Sequence, residues 1–372
     1  MGNNKGLSSR GKGLSPRGLF RNKRFLIIPL FLTALSVACG GPESAVSDNP
    51  YFQRGGSYVP FDAEVMMGPA SDESILQIID AGADWVALVP IWYQDTKTST
   101  DIAPDPKATP TDESVRRAIQ YFHHYGVHVM LKPYVDSRDG TWRAEFEPDD
   151  WDAWFESYRA FIWHYAEMAE EENVELFCVG CEYKSSDSDA ARHEDWAETI
   201  AGVRERYDGE LTYAADWSNY WTVTFWRSVN YVGIDAYFPL YEGDDAGVGD
   251  LVGGWEKELD RIDDWLLESG LVGKMVIFTE VGYRSVPECW RRPADSSGGA
   301  VDLEAQKMCY AALFATAPAR PWFQGIFIWW WDNPSTEDWG GGADDSGYTP
   351  NGKPAGELLK RYYNSYEKEE SR

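Results

Sequence analysis

The chain has little positive charge for its size, and proteins that bind polyanions depend on such charge. Its 372 residues include 34 Lys and Arg against 61 Asp and Glu, which gives a formal net charge of −27. Seven of the basic residues fall within the first 24 positions, where no acidic residue occurs. A surface with this excess of negative charge repels phosphate backbones. The composition therefore argues against nucleic acid as a partner.

The apolar run near the N-terminus is too short to cross a membrane, because a spanning helix needs roughly 20 residues. Phe25–Val37 has thirteen positions and follows the basic stretch directly, an order typical of a secretory signal. The small residues before Cys39 resemble the lipobox of bacterial lipoproteins, in which the Cys after the cleavage site is lipidated. We predict a signal peptide over residues 1–38 and a membrane anchor through a lipid on Cys39. Secretion without a lipid is the alternative.

Loss of residues 1–38 removes seven positive charges and no negative ones, which takes the formal charge from −27 to −34. The stretch after Cys39, GGPESAVSDNPYFQRGGS, has the composition of a flexible linker, so we predict a tether over residues 39–57. Residues 58–372 are enough for one large domain, and we expect a monomer.

Cysteine and histidine are scarce, with five of each in the chain. Cys178 and Cys181 lie three apart in one predicted strand, so we expect them on opposite faces, unsuited to a shared metal or redox role. No metal and no cofactor is predicted. Cys289 and Cys309 lie in a chain predicted to be exported, where a disulfide between them is one alternative and two free thiols the other.

Short β-rich segments alternate with amphipathic ones from residue 58 onward. The predicted strands are residues 58–67, 84–92, 127–135, 174–182, 210–217, 231–238, 274–280 and 322–331. The predicted helices are residues 72–81, 112–125, 149–172, 193–207, 254–269, 303–316 and 354–366. Such alternation indicates a parallel sheet with right-handed crossovers.

Eight strand-helix units in roughly 300 residues predict an α/β fold of the closed (β/α)8 type, a TIM barrel. An open doubly wound sheet is the alternative. That fold commonly carries a Gly-rich phosphate-binding turn after its first strand, and the segment MMGPASDES at this point has none.

Two of the predicted strands are apolar until they end in a carboxylate. Glu182 closes the fourth strand in VELFCVGCE, and Glu280 closes the seventh in VIFTE. The carboxyl ends of barrel strands converge on one face, and strands four and seven lie on opposing sides of it. Two such carboxyl groups can flank a sugar, one as acid and one as nucleophile or base. The structural alternative is that Glu182 and Glu280 form ion pairs with nearby cations such as Lys184 and Arg284.

Aromatic and polar residues close the other strands. Indole rings stack on the apolar faces of sugars, while Asp, Lys and Tyr bind their hydroxyl groups. The last strand ends in Trp329, Trp330 and Trp331, and strand alternation predicts that the first and third share a face. The predicted substrate-binding residues are Trp92, Lys132, Asp216, Tyr237 and Trp331.

The segments VELFCVGCEYKSS, VIFTEVGYRS, IFIWWW and YTPNGKPAGELL resemble the β-mannanases of glycoside hydrolase family 113, within a clan of retaining (β/α)8 glycosidases. The resemblance spans residues 60–366. It implies that Glu182 is the acid/base, with a raised pKa, and that Glu280 is the nucleophile. It also implies that Tyr237 donates a hydrogen bond to Glu280 and that Trp331 forms the floor under the reacting sugar. Cys181 departs from the clan, where Asn commonly precedes the acid/base.

These observations predict a retaining glycoside hydrolase that cleaves β-1,4-mannosidic bonds, with a polysaccharide or oligosaccharide as substrate. Retention predicts carboxyl groups about 5 to 5.5 Å apart. Two alternatives remain open at this point: an exo- or endo-β-glycosidase for another hexose polymer, and a surface lipoprotein that binds glycans without cleaving them.

Overall fold

The computed structural model describes residues 52–331 and 341–365. The strands are β1 Gln53–Tyr58, β2 Trp85–Leu88, β3 Ile91–Gln94, β4 His128–Leu131, β5 Tyr134–Ser137, β6 Leu176–Cys181, β7 Glu210–Asp216, β8 Val232–Asp235, β9 Val276–Val281 and β10 Phe323–Trp331. The helices are α1 Pro69–Asp80, α2 Asp112–His124, α3 Trp151–Glu171, α4 Lys184–Asp187, α5 His193–Arg204, α6 Val248–Glu268, α7 Leu303–Thr316 and α8 Pro354–Asn364.

Eight strands close into a parallel barrel in the order β1, β2, β4, β6, β7, β8, β9 and β10, with β10 pairing again with β1. This confirms the predicted (β/α)8 fold. The barrel interior holds a cluster of buried residues from all around the ring, among them Ala87, Met130, Cys178, Ile277 and Phe327. A larger apolar cluster lies between the strands and the surrounding helices, where Trp154, Trp196 and Trp255 are fully buried.

The prediction for the first strand, Tyr58–Met67, was wrong. The strand is Gln53–Tyr58, and Val65–Met67 is a turn of 3-10 helix. The glycines in QRGGSY indicated a flexible tether, but Gly55 is required by packing, because a Cβ there would lie 2.2 Å from the Phe327 ring. The tether therefore does not extend to residue 57. The predicted signal peptide, Cys39 and the tether up to residue 51 lie outside the described residues.

Two of the predicted strands are split by proline. Residues 84–92 form β2 and the start of β3, and residues 127–135 form β4 and the start of β5. Pro90 and Pro133 stand in the gaps, where they cannot donate to a ladder. After these breaks β3 and β5 pair with each other as a small parallel sheet outside the barrel ladder.

Side-chain caps set the starts of several helices. Asp150 accepts from the backbone N–H groups of Asp152 and Ala153 at the start of α3, and Asp302 accepts from Ala305 at the start of α7. Helix α6 begins six residues earlier than predicted, after Gly247, whose N–H donates to Asp250 at 2.9 Å. Within the described part of the chain, no helix combines the length and apolar character needed to span a bilayer.

Cys289 and Cys309 are buried free thiols whose Sγ atoms lie 3.7 Å apart. They join the segment after β9 to helix α7 by side-chain contact. Cys178 and Cys181 both lie in the cluster inside the barrel, so the prediction that they face opposite sides was wrong. The register between β6 and β7 shifts between these two cysteines, and the extra residue resets the alternation.

Close packing between β7 and β8 makes Gly233 sensitive to substitution. A Cβ on Gly233 would lie 2.3 Å from the carbonyl oxygen of Tyr213, which the ladder prevents from moving away. We expect Gly233→Ala to lower the free energy of unfolding by about 1 to 3 kcal/mol, measured by urea denaturation.

The matched control is Gly253→Ala, in the exposed part of α6, where a new Cβ meets no atom within 4 Å. That change is expected to raise the free energy of unfolding by about 0.5 to 1 kcal/mol, because Ala favours the helix over Gly. Equal effects of the two substitutions would contradict the steric account of Gly233.

Candidate active site

Glu182 and Glu280 line the same cleft at the carboxyl ends of the barrel strands. Glu182 follows the last residue of β6, and Glu280 is the fifth residue of β9. The cleft has a volume of about 820 Å³, and the two glutamates are 7% and 5% exposed. The barrel thus brings together the two carboxylates that the sequence singled out.

Glu182 has a backbone φ of +56°, a left-handed conformation that non-glycine residues seldom adopt. Such conformations cluster at functional sites, where the surrounding structure compensates for their cost. The side-chain oxygen Oε2 accepts from Trp142 Nε1 at 3.0 Å and from the Arg143 guanidinium at 2.9 Å. Oε1 accepts no hydrogen bond from the residues that the structure describes.

Burial raises the pKa of Glu182 above its ordinary value, although Arg143 acts in the opposite direction. The negative charges of Glu280 and Asp216 add to the increase. A raised pKa agrees with what the resemblance implies for this residue. A carboxyl group of this kind can hold a proton near neutral pH and deliver it to a leaving group.

Glu280 has two strong donors on its carboxylate. Tyr237 donates from its hydroxyl to Oε2 at 2.7 Å, as the resemblance implies, and Lys132 forms an ion pair with Oε1. Burial, followed by the charge of Glu280, raises the pKa of Tyr237 well above its usual range, so this phenol stays protonated and donates. Both contacts favour the carboxylate form of Glu280, the form that a nucleophile needs.

Lys132 lies inside the barrel rather than on the cleft wall. Its side chain is fully buried and contacts Asp235 at 3.4 Å as well as Glu280. Burial disfavours its charge, but Asp235, Cys181 and Glu280 outweigh this effect and raise the pKa of Lys132 well above normal. The structure therefore places Lys132, a predicted substrate ligand, where it supports a catalytic candidate from beneath.

Asp235, which closes β8, completes this buried group. It accepts from Thr279 at 2.8 Å and from the Cys181 thiol at 3.4 Å. Burial, with Glu280 as the next cause, raises the pKa of Asp235 well above normal. Lys132 thus faces two buried carboxyl groups, Asp235 at 3.4 Å and Glu280 in closer contact.

The two glutamates do form ion pairs, as in the structural alternative, but not with the cations named for it. Lys184 binds Asp216 at 3.0 Å instead of Glu182, and Arg284 donates to the Ser346 hydroxyl at 3.3 Å instead of contacting Glu280. The cations that do pair with the glutamates, Arg143 and Lys132, come from the loop after β5 and from the end of β4. Neither is near in sequence to the glutamate it serves.

Of the other predicted substrate-binding residues, some lie on the cleft wall and some do not. Asp216 lies on the cleft wall, as does Tyr237. Trp92 does not line the cleft, because its indole donates to Tyr165 at 3.0 Å and packs on Phe161 of helix α3. The split of the predicted strand at Pro90 places Trp92 in β3, on the helix side.

The structure places Trp331, the predicted floor of the sugar site, away from the cleft. Trp331 is 4% exposed in the apolar cluster around the barrel, whereas Trp329 and Trp330 line the cleft. The register between β1 and β10 shifts over this segment, with an extra residue on β10, so the alternation does not hold. The peptide bond between Trp329 and Trp330 is cis.

Sequence reasoning missed several residues of the cleft. Trp142 lines the cleft from the loop DGTWRAEF, where its neighbour Arg143 donates to Glu182, and Tyr348 lines it from far along the chain in SGYTP. The closeness of Trp142 to Arg143, an aromatic beside a cation in a loop after a barrel strand, was an available signal. Trp142 is 42% exposed at the rim, where it can stack on a sugar.

The chain is similar to known proteins in both sequence and structure. The model of Glycoside Hydrolase Family 113 matches residues 63–353. A family 113 β-1,4-mannanase solved as a complex shares 28% identity with a TM-score of 0.75, over 84% of this chain and 99% of that one. The β-mannanase AaManA from Alicyclobacillus acidocaldarius, in complex with ManMIm, shares 28% identity with a TM-score of 0.76, over 86% and 100% of the two chains.

A β-glucuronidase from Faecalibacterium prausnitzii is similar in fold alone, with 16% identity and a TM-score of 0.58, over 85% of this chain and 49% of that one. The comparison with curated protein sequences gave no match. The family match covers most of the chain and includes both cleft glutamates. The chain therefore belongs to glycoside hydrolase family 113 and is a glycoside hydrolase.

Proposed function

We propose that the enzyme hydrolyses β-1,4-mannosidic bonds in mannan-type polysaccharide with retention of configuration. The observation that carries the proposal is the pair of buried glutamates in one cleft, of which Glu182 has a raised pKa and Glu280 forms an ion pair with Lys132. Solved family 113 structures that align over nearly their whole length are β-1,4-mannanases, which supports mannan as the substrate.

In the first step the Glu280 carboxylate attacks the anomeric carbon while Glu182 gives its proton to the glycosidic oxygen. The bond from the anomeric carbon to the leaving sugar breaks, and an ester bond to Glu280 forms. Trp142 and Arg143 both donate to Oε2 of Glu182, so Oε1 carries the transferable proton. In the second step Glu182 takes a proton from water, whose oxygen displaces Glu280 from the anomeric carbon and restores both residues.

The test is the release of oligosaccharides from β-1,4-mannan, glucomannan, cellulose and xylan by protein that starts after Cys39. We expect release from mannan and glucomannan, with products of retained anomeric configuration in early NMR spectra. Release from cellulose or xylan alone would mean that the substrate is another hexose or pentose polymer rather than mannan. Inverted products would contradict the covalent step.

Arg143 sets the alkaline limit of the activity. Its charge lowers the pKa of Glu182, so Arg143→Gln is expected to raise that pKa. Because Glu182 must be protonated to act as the acid, the alkaline limb of kcat/KM against pH should move to higher pH.

Arg138→Gln is the matched control, because Arg138 lies in the same loop but pairs with Asp95 and Asp105. Its pH profile should match that of the unchanged enzyme. If the alkaline limb does not move in Arg143→Gln, Arg143 does not control the pKa of Glu182.

We also propose that the protein is exported and anchored by a lipid on Cys39. The support is the basic stretch, the short apolar run and the small residues before Cys39. Metabolic labelling with a fatty acid should mark the full chain and leave Cys39→Ala unlabelled. An unlabelled full chain in the culture medium would indicate plain secretion.

A further inference from the structure

A second cavity adjoins the catalytic cleft on the side of β9. It has a volume of about 300 Å³ and is bounded by the segment that follows β9. Arg291, Arg292, Pro293 and Asp295 line both this cavity and the cleft. A group bound in the second cavity is therefore within reach of a sugar chain that lies in the cleft.

Three arginines line this second cavity, and we call Arg284, Arg291 and Arg292 the arginine pocket. Arg291 is neutralised by Asp244 at 2.8 Å and by Glu288 at 2.7 Å. Arg284 is different, because its residue is only 8% exposed and its side chain donates to the Ser346 hydroxyl at 3.3 Å. Among residues 52–331 and 341–365, no carboxylate forms an ion pair with Arg284 or Arg292.

An arginine withdrawn from water without a carboxylate in direct contact loses solvation that only an anion can restore in full, so a buried cation of this kind can bind an anion. The loss is notable in a chain with 61 acidic and 34 basic residues, where carboxylates are abundant as partners. The planar guanidinium presents paired donors that match the oxygens of a carboxylate or a sulfate.

Two carboxylates limit what the arginine pocket can hold. Glu288 is occupied by Arg291, and Asp295 accepts from the N–H of Ser297 at 2.8 Å. Arg291 is already balanced by Asp244 and Glu288, so Arg284 and Arg292 against the nearby charge of Asp295 leave one net positive charge. The pocket is thus matched to a single oxyanion rather than to a polyanion.

We propose that the arginine pocket is a subsite for one oxyanion substituent, a carboxylate or a sulfate ester, on a sugar unit of the polysaccharide substrate. This inference rests on the proposed glycosidase function and adds a substrate class to it. The enzyme then acts on acidic, substituted β-mannan in preference to the neutral polymer. Tyr348, whose hydroxyl donates to Pro293 at 2.6 Å, stands between the pocket and Glu280 and links the two regions.

The test compares three probes: neutral β-1,4-mannooligosaccharides, the same oligosaccharides partly oxidised to carboxylates at C6, and the same oligosaccharides bearing sulfate esters. We expect kcat/KM for one or both charged probes to exceed that for the neutral probe by about tenfold or more. Preference for the carboxylated or the sulfated probe identifies the source of the oxyanion. Arg284→Gln should remove the preference, and Arg292→Gln, at an exposed position, should weaken it without risk to folding.

Arg320→Gln is the matched control, because Arg320 pairs with Asp260 and Asp263 of α6, away from the cleft. It should keep the full preference. Cleavage of the neutral probe with no preference for charge would overturn the subsite and leave the proposed function standing. If the neutral probe is not cleaved, the assignment of neutral mannan as the substrate fails. The subsite would still be supported if calorimetry shows that Glu280→Gln binds the carboxylated probe and that the double variant Glu280→Gln with Arg284→Gln does not.

Discussion

Glu280→Gln is expected to lower kcat on β-1,4-mannan by about 10⁴-fold or more, the scale on which removal of a catalytic nucleophile acts. The amide keeps the size of the side chain and accepts from Tyr237 as before, so the cleft should keep its shape. It cannot form the ester with the anomeric carbon. Substrate binding should therefore persist while turnover is lost, and kinetics with calorimetry on the same variant separate the two.

The two glutamates can be told apart by rescue with azide in Glu280→Ala and Glu182→Ala. Azide in the space left by Glu280 attacks from the face of the missing nucleophile and gives the glycosyl azide of inverted configuration. Azide in the space left by Glu182 displaces the Glu280 ester and gives the retained configuration. The opposite pairing of products would exchange the two roles. Near-normal turnover in Glu280→Gln would refute the catalytic assignment.

The barrel itself was predictable because its signals are local. The strand segments are largely apolar, and most of the helices have an amphipathic period, so alternation along the chain sufficed. The errors lie where a local signal has two meanings. Gly55 and Gly56 are typical of linkers, yet in β1 they are needed because Phe327 leaves no space for a side chain at position 55. Pro90 and Pro133 end barrel strands within runs that are otherwise continuous.

The candidate site was predictable only in part, because strand alternation breaks down at the carboxyl ends of the barrel strands. Extra residues shift the register of β6 near Cys181, of β9 near Glu280 and of β10 near Trp329. Bulges of this kind re-aim side chains beside active sites. The two glutamates were found by residue type at a strand end, which a shift of one residue does not affect. Trp331 was misplaced because its prediction depended on which face it occupied.

Ion pairing was the least predictable feature, because it joins residues distant in the chain. Lys132 and Glu280 are separated by 148 positions, and Arg143 and Glu182 by 39. Only the closed barrel brings them into contact. Lys132 has the character of a substrate ligand in sequence, since it closes an apolar strand near the cleft. The structure shows that it is a counter-ion whose removal should disturb both stability and activity.

Lys132→Met is expected to lower the free energy of unfolding by about 3 to 5 kcal/mol, the cost of leaving a buried charge without its partner. Met matches the length of the lysine stem, so lost packing contributes little. In this variant Glu280 takes up a proton more readily, and the acid limb of kcat/KM against pH should move to higher pH. Urea denaturation and a pH profile measure the two effects, and an unmoved acid limb would mean that Lys132 has only a structural role.

Lys360→Met is the control, because Lys360 forms an exposed ion pair with Asp80 at 2.7 Å and should cost no more than about 1 kcal/mol. The decisive comparison is the double variant Lys132→Met with Glu280→Gln. Removal of the second charge abolishes the unpaired carboxylate, so the double variant should be more stable than Lys132→Met alone. The two single changes could instead add, so that the double variant loses as much free energy of unfolding as the two single variants together. Lys132 would then act through packing or through Asp235, and its ion pair with Glu280 would not stabilise the protein.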